Sequence, residues 1–170
     1  MTQDQFAQVH TDAEIQAILA SVRTIAMVGA SADETKPSNQ VLRFLRDAGY
    51  DVIPVNPRPD LTEILGLPVH PSLESIDRPV DMVDVFRPSA EVSGIATAAV
   101  AIGARILWTQ LGIHNEEAVD IALAGGLKVV TNRCPKLELL RASRETNPDS
   151  GARESDTGGS GFFHAACGYT

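Results

Sequence analysis

The sequence predicts an α/β protein, a Rossmann-like doubly wound parallel sheet of five strands with helices on both faces. Three observations predict it. Apolar runs of strand length alternate with amphipathic helical stretches as far as residue 141, the pattern of consecutive βα units and so of a parallel sheet. The first run, residues 24–30, ends in Gly29-Ala30-Ser31, a small-residue turn that leads into a helix. Polar and turn-forming residues gather after each apolar run; these are the carboxyl ends of the strands, where ligands of open parallel sheets bind.

Each element has its own reason. Thr11 followed three residues later by Glu14 is a capping box, and Ile15, Ile18, Leu19 and Val22 then fall on one helical face. Residues 24–30 are apolar throughout, as in a strand buried on both sides. Residues 38–48 form a helix with Val41, Leu42 and Leu45 inward, and Gly49 stands at its C′ position. Residues 50–55 are the second strand. Residues 61–71 are turn-rich, and Leu73 and Ile76 belong to a short helix. Residues 80–86 are the third strand, stopped by Arg87-Pro88. Ser89 caps a helix to residue 102, with Glu91 in its first turn. Residues 105–111 are the fourth strand. Asn115 caps a helix that carries Glu116 and Glu117 at its positive end and stops at Gly125-Gly126. Residues 127–131 are the fifth strand, and residues 136–141 a final short helix.

From residue 142 the composition turns polar. Residues 143–160 hold almost no large apolar side chain and are expected to be disordered. Apolar residues return after Gly161 as a loosely held end. The chain therefore divides into a folded domain, 1–141, and a flexible polar tail, 142–170.

The 170 residues carry a net charge of −8, with 44% hydrophobic and 5% aromatic residues. That charge argues against nonspecific binding to nucleic acid or an anionic membrane, and so few aromatics make a base-stacking platform unsuited. An anionic ligand must be held by local groups. No charged-then-apolar leader opens the chain and no apolar run approaches the ~18 residues of a membrane span, so the expected location is cytoplasmic. The two cysteines, Cys134 and Cys167, form no C-x-x-C pair, which suggests neither a metal site nor a disulfide framework.

The strand ends carry the candidate site. Gly29 and Ala30 let backbone approach a ligand, Ser31 offers a hydroxyl, and the helix that follows presents free N–H groups suited to phosphate. Lys36 and Ser38 add a charge and a donor on its approach. The turn lacks the full dinucleotide glycine fingerprint. After the second strand, where an NAD site has an acid for the ribose hydroxyls, this chain has Asn56, Pro57 and Arg58. An arginine there favours a phosphorylated ribose, either the 2′-phosphate of NADP or the 3′-phosphate of coenzyme A; the residues alone leave both open. Phe86 and Arg87 are read in two ways, as the wall of an adenine with a phosphate contact, or as a core side chain followed by an exposed strand-end cation. Thr109, Gln110 and Leu111 stand at the mouth of the fourth strand, with the Gln110 amide suited to an amide of a ligand. No catalytic residue is singled out: His10, His70, His114 and His164 are not patterned with a nucleophile or acid, and no metal set is seen. Cys134, beside the predicted cleft, is a candidate reactive thiol only if nearby cations lower its pKa, and an inert buried thiol is the simpler reading.

Taken together, V-G-A-S, K-P-S, G-Y-D-V-I-P-V-N-P, G-L-P-V, V-D-M-V-D-V-F-R-P, W-T-Q-L-G-I, N-E-E-A and N-R-C-P-K, in this order, resemble the small stand-alone CoA-binding proteins, which are similar to the CoA-binding domain of the succinyl-CoA synthetase α subunit. The resemblance spans residues 15–140. It implies a Rossmann-type CoA-binding domain in which Ala30, Ser31 and their neighbours cradle the phosphates, Asn56-Pro57-Arg58 meets the nucleotide end, and Thr109-Gln110-Leu111 the middle of the cofactor. The synthetase has a lysine where this chain has Pro59, which passes that phosphate contact to Arg58 or Lys36, and a Glu in place of Gln110. Its second domain, with the phosphorylated histidine, has no counterpart here. The resemblance thus implies coenzyme A or an acyl-CoA as cofactor; because the sequence shows no catalytic set, the reading leans to a binding, sensor or carrier module, with any catalysis left undetermined. An NADP-linked oxidoreductase or a component of an acyl-CoA ligase is the alternative. The expected partner is the small molecule, not nucleic acid or membrane, with a protein partner or homo-oligomer undetermined.

Overall fold

The computed structural model describes residues 10–146. Its elements, in chain order, are α1 (Asp12–Ser21), β1 (Thr24–Val28), α2 (Pro37–Asp47), β2 (Asp51–Val55), β3 (Glu63–Ile64), β4 (Leu67–Pro68), β5 (Met82–Val85), a 3-10 turn (Ser89–Glu91), α3 (Val92–Ala101), β6 (Ile106–Thr109), α4 (Glu116–Ala124), β7 (Lys128–Val130) and α5 (Pro135–Thr146). Five strands form one sheet in the order β2-β1-β5-β6-β7, every neighbouring pair parallel. The doubly wound parallel architecture read from the sequence is the one observed.

Parallel strands need helical crossovers, and those crossovers cover both faces. Ile25 and Met27 of β1, Met82 and Phe86 around β5, and Ile106 and Trp108 of β6 pack beneath α1, α2 and α5. Ala26, Val83, Val85, Leu107 and Val129 pack beneath α3 and α4. Alternate residues of one strand serve alternate cores. The chain leaves β1 towards one face through α2 and leaves β5 towards the other through α3. The switch point is therefore the crevice between the carboxyl ends of β1 and β5.

Several expectations change in detail. The capping box is formed, Glu14 N–H donating to Thr11 Oγ1 and Thr11 N–H to Glu14 Oε2. Asn115 caps α4, accepting from Ala118 N–H at 3.0 Å. Ser89 caps nothing: α3 begins only at Val92, and Ser89 instead accepts from the far loop, His114 N–H on its hydroxyl and Asn115 Nδ2 on its carbonyl. Around Leu73 and Ile76 there is a turn and no helix. The turn-rich stretch folds into the small β3–β4 hairpin through Leu65 and Gly66, both at positive φ, as a two-residue primed turn requires. The last helix reaches Thr146, so 143–146, expected to be disordered, continue it; the remainder of the expected tail lies outside the described residues. Cys134 is buried and disulfide-bonded. The absence of C-x-x-C spacing misled here, because a disulfide needs proximity in space and not in sequence, and a reactive free thiol at this position is ruled out in this state.

Candidate functional site

The switch point holds a cleft of about 500 Å³ lined by Gly29, Asn56, Pro57, Arg58, Arg87 and Glu91, with Pro71–Glu74 and the α3 face of Gly94, Ile95 and Ala98 as its other walls. That size suits a small-molecule site, which runs to roughly 300–1,000 Å³. A larger hollow, about 650 Å³, lies at the opposite end of the sheet beside Thr24, Gly49 and Asp51. The smaller one is the candidate site because, among the described residues, strand carboxyl ends, Gly29 and two arginines converge there.

Gly29 sets the floor. Its φ is +88°, and a Cβ at this position would stand 2.5 Å from the Phe86 carbonyl oxygen and 2.9 Å from Arg87 Cδ. The β1 turn is thus pressed against the end of β5 as no L side chain allows. Gly29 N–H donates to Val55 O at 3.0 Å, which ties the same turn to β2. Asn56 completes the tie: its Nδ2 donates to Ala30 O at 2.9 Å, and its Oδ1 accepts from Arg58 N–H at 3.0 Å. Asn56 therefore shapes the loop, an Asx turn, and the guanidinium after it is aimed by that turn.

Both cations of the cleft are engaged by acids. Arg58 makes a fork to Asp60, with Nη2 to Oδ2 at 2.6 Å. This contact holds the Asp60 carboxyl below its ordinary range. Arg87 makes a second fork to Glu91, with Nη2 to Oε1 at 2.8 Å, and pulls the Glu91 carboxyl down likewise. All four side chains are substantially exposed. Such pairs contribute little to stability, so a phosphate can displace either carboxylate at small cost.

The thirteen residues expected at the site do not all meet there. Gly29, Asn56, Pro57, Arg58 and Arg87 line the cleft. Ala30 and Phe86 are buried beneath it, and Ser38 and Thr109 are buried as well; Thr109 Oγ1 is committed to Ile113 O at 3.0 Å. Ser31 and exposed Lys36 belong to the long β1–α2 turn, outside the cleft lining. That turn is organised by Asp33, whose carboxylate accepts from Thr35, and those bonds hold the Asp33 carboxyl below its usual range. The first turn of α2 has Lys36 as N-cap with no side-chain cap and Pro37 after it; Pro37 has no N–H, and the N–H groups of Lys36 and Asn39 donate to Asp33 O at 3.0 Å and Lys36 O at 3.1 Å, so little of this helix end is left to a ligand. Leu111 is half-buried. Gln110 faces inward: it is fully buried, and its Nε2 donates to Asp84 Oδ1 at 2.6 Å, so in this conformation its amide is directed to the protein and not to the cleft.

The sequence reading missed the Pro71–Glu74 wall and the α3 face. Asn56 N–H to His70 O and His70 N–H to Pro54 O return the chain after the hairpin to the end of β2. A turn-rich run gives no sign of such a return. The small residues of α3, Gly94 and Ala98, were the available signal for its side of the cleft.

Residues 23–139 match the family described as CoA binding domain. A Bacillus subtilis protein, the uncharacterized protein YneT, is 40% identical over 125 residues, covering 74% of this chain and 91% of that one. The solved structure of a hypothetical protein from Pyrococcus horikoshii OT3 is 35% identical with a TM-score of 0.76, covering 83% of this chain and 98% of that one. An acetate–CoA ligase (ADP-forming) of Archaeoglobus fulgidus is 30% identical over 122 residues, 66% of this chain but only 18% of the ligase. The strand-end geometry and a match running from the start of β1 into α5 agree, and the chain belongs to the CoA-binding-domain family.

Proposed function

We propose that this chain binds coenzyme A, free or acylated, in the β1/β5 crevice as a cytoplasmic binding, carrier or sensor module with no chemistry of its own. The observation that carries the reading is the convergence on one cleft of a glycine floor, the Asn56-Pro57-Arg58 turn and the Arg87 guanidinium. Gly29 closes the floor by letting the β1 turn press on the end of β5, Arg58 and Arg87 exchange their carboxylates for phosphates, and the face of α3 covers apolar surface. The family supports coenzyme A over NADP; the arginines alone do not. Isothermal titration with coenzyme A, dephospho-CoA and NADP tests it. Binding of coenzyme A with weaker binding of dephospho-CoA is the expected outcome, and NADP binding as well as coenzyme A sinks it.

A second reading is supported by the similarity to part of an acetate–CoA ligase: the chain is one component of such an enzyme, with the remaining domains supplied by another protein. Co-purification with a ligase-type subunit, and CoA-dependent acyl activation only in the mixture, favours that reading.

A further inference from the structure

Asp84 and Gln110 are both 0% exposed, and one hydrogen bond, Gln110 Nε2 to Asp84 Oδ1 at 2.6 Å, joins them. Asp84 Oδ2 and Gln110 Oε1 have no partner. An ionised carboxylate has no hydrogen to offer the Gln110 oxygen; a neutral acid has one, and an acid facing an amide closes a ring of two hydrogen bonds that satisfies both orphans. We propose that Asp84 and Gln110 form a proton-operated latch under the cofactor site: Asp84 is kept as the neutral acid, returns its Oδ2 hydrogen to Gln110 Oε1, and on losing that proton to water releases the loop 110–115. The inference rests on the CoA-binding reading for its ligand, but the latch itself has a readout without ligand.

The surroundings support it. Burial drives the Asp84 carboxyl up to about 7, against the smaller opposing effects of the Gln110 amide and the Val85 N–H. Its register neighbours are Met27 on β1 and Trp108 on β6, neither titratable. The charged groups of the helices packed on that face are engaged elsewhere or exposed, as Glu145 is at the end of α5. On α2, Arg43 pairs with Glu34 and Arg46 with Asp47. On α5, Glu138 and Arg141 pair with each other and with Arg133 and Asp12, Lys136 lies over the Phe44 ring, and Arg144 also has a partner. On α1, Glu14 is held by Thr11 and faces His10. Lys36 is exposed at the start of α2. Cys134 is disulfide-bonded and does not titrate. None of these acts on Asp84.

The latch is wired to the cleft. Gln110 O accepts from Ile113 N–H at 3.1 Å, Gly112 N–H donates to Asn132 Oδ1, and His114 N–H and Asn115 Nδ2 donate to Ser89. Ser89 opens the short turn that carries Glu91, the partner of Arg87 in the cleft. Loss of the proton leaves the buried Asp84 Oδ2 and Gln110 Oε1 with no hydrogen between them to share, and the strain falls on this loop.

The test uses Trp108, the chain's sole tryptophan, which lies beside Asp84 in the sheet and donates its indole N–H to Arg133 O. Its fluorescence is titrated between about pH 6 and pH 8, a range that brackets the expected midpoint, in the full chain and in Asp84→Asn, whose amide reproduces the two-bond ring without a proton to lose. The expected result is a sigmoid near neutrality in the natural chain, absent in Asp84→Asn, with lower amide protection factors at 111–114 on the alkaline side in the natural chain alone. Should Asp84→Asn fold poorly, Gln110→Glu serves: two acids sharing one proton move the sigmoid upward. The Kd for coenzyme A is expected to rise roughly tenfold from about pH 6 to pH 8 beyond any change in Asp84→Asn, since only about a tenth of molecules keep the proton one unit above the midpoint. Superimposable fluorescence curves for the natural chain and Asp84→Asn overturn the latch, and a sigmoid with no excess change in Kd overturns its link to the site. A normal sigmoid with no coenzyme A bound at any pH leaves the latch standing and refutes the functional reading instead.

Discussion

Gly29→Ala tests the floor of the cleft most directly. Two costs add. At φ +88° an alanine bears roughly 1–2 kcal/mol of left-handed strain. Its Cβ would also stand 2.5 Å from the Phe86 carbonyl oxygen and 3.0 Å from the Phe86 carbonyl carbon. Those are backbone atoms of a strand end inside a paired sheet, so β1 and β5 must separate, and forced repacking of that kind costs about 1–3 kcal/mol. The total is about 2–5 kcal/mol, which lowers the melting midpoint by something near 10 °C for a domain of this size. The control is Gly66→Ala in the β3–β4 turn, at φ +77° with nothing within 4 Å of the added Cβ, where only the strain of about 1–2 kcal/mol applies. Circular dichroism melts of both variants, and coenzyme A titration well below either melt, separate folding from binding. Gly29→Ala should melt clearly below Gly66→Ala and lose coenzyme A binding even while folded. Equal melting of the two variants would refute the close approach of β1 to β5, and unimpaired binding would refute the cleft.

Three further expectations follow from the same structure. Arg87→Ala and Arg58→Ala should each leave the melting midpoint within about 2 °C of the parent, because exposed ion pairs add little, while weakening coenzyme A binding about tenfold or more; calorimetric titration reads both, and unchanged affinity in the pair removes the arginines from the site. Burial raises the folded Asp84 carboxyl to about 7 from an ordinary 3.8, so the folded state binds more protons than the unfolded one between those values. Stability is therefore greatest at the acid end of that window and falls as pH rises through it, by up to about 4 kcal/mol at 1.36 kcal/mol per unit; urea melts at a series of pH values should show the fall, and Asp84→Asn should remove this part of it. Thr11→Ala should cost about 1 kcal/mol through loss of the capping box, measurable as a shift in urea midpoint with unchanged slope.

How much was legible depended on whether a feature was local. The five strands, their parallel order of use and the caps at Thr11 and Asn115 follow from periodicity and from residues within one turn of each other. Gly29 and Asn56-Pro57-Arg58 were legible as strand-end residues, and they line one cleft, because strand ends in this architecture converge at the switch point. What failed was long-range. Ser89 looked like a helix cap in sequence, but its oxygens are taken by His114 and Asn115, twenty-five and twenty-six residues on. Gln110 stood at a strand mouth, yet the parity of β6 turns it inward onto Asp84. The segment Pro71–Glu74 entered the cleft wall only because a hairpin and a bridge at Val55 and His70 bring it back.

The Arg87–Glu91 and Arg58–Asp60 forks have a kinetic consequence. With each guanidinium already covered, the cleft offers an approaching polyanion no bare positive field, and the chain as a whole carries −8. Encounter is therefore slowed by repulsion, not steered by attraction. Added salt screens the long-range repulsion over a Debye length of about 8–10 Å and loosens the exposed forks as well, so the association rate with coenzyme A should increase with ionic strength, the reverse of the behaviour of a basic nucleotide-binding groove.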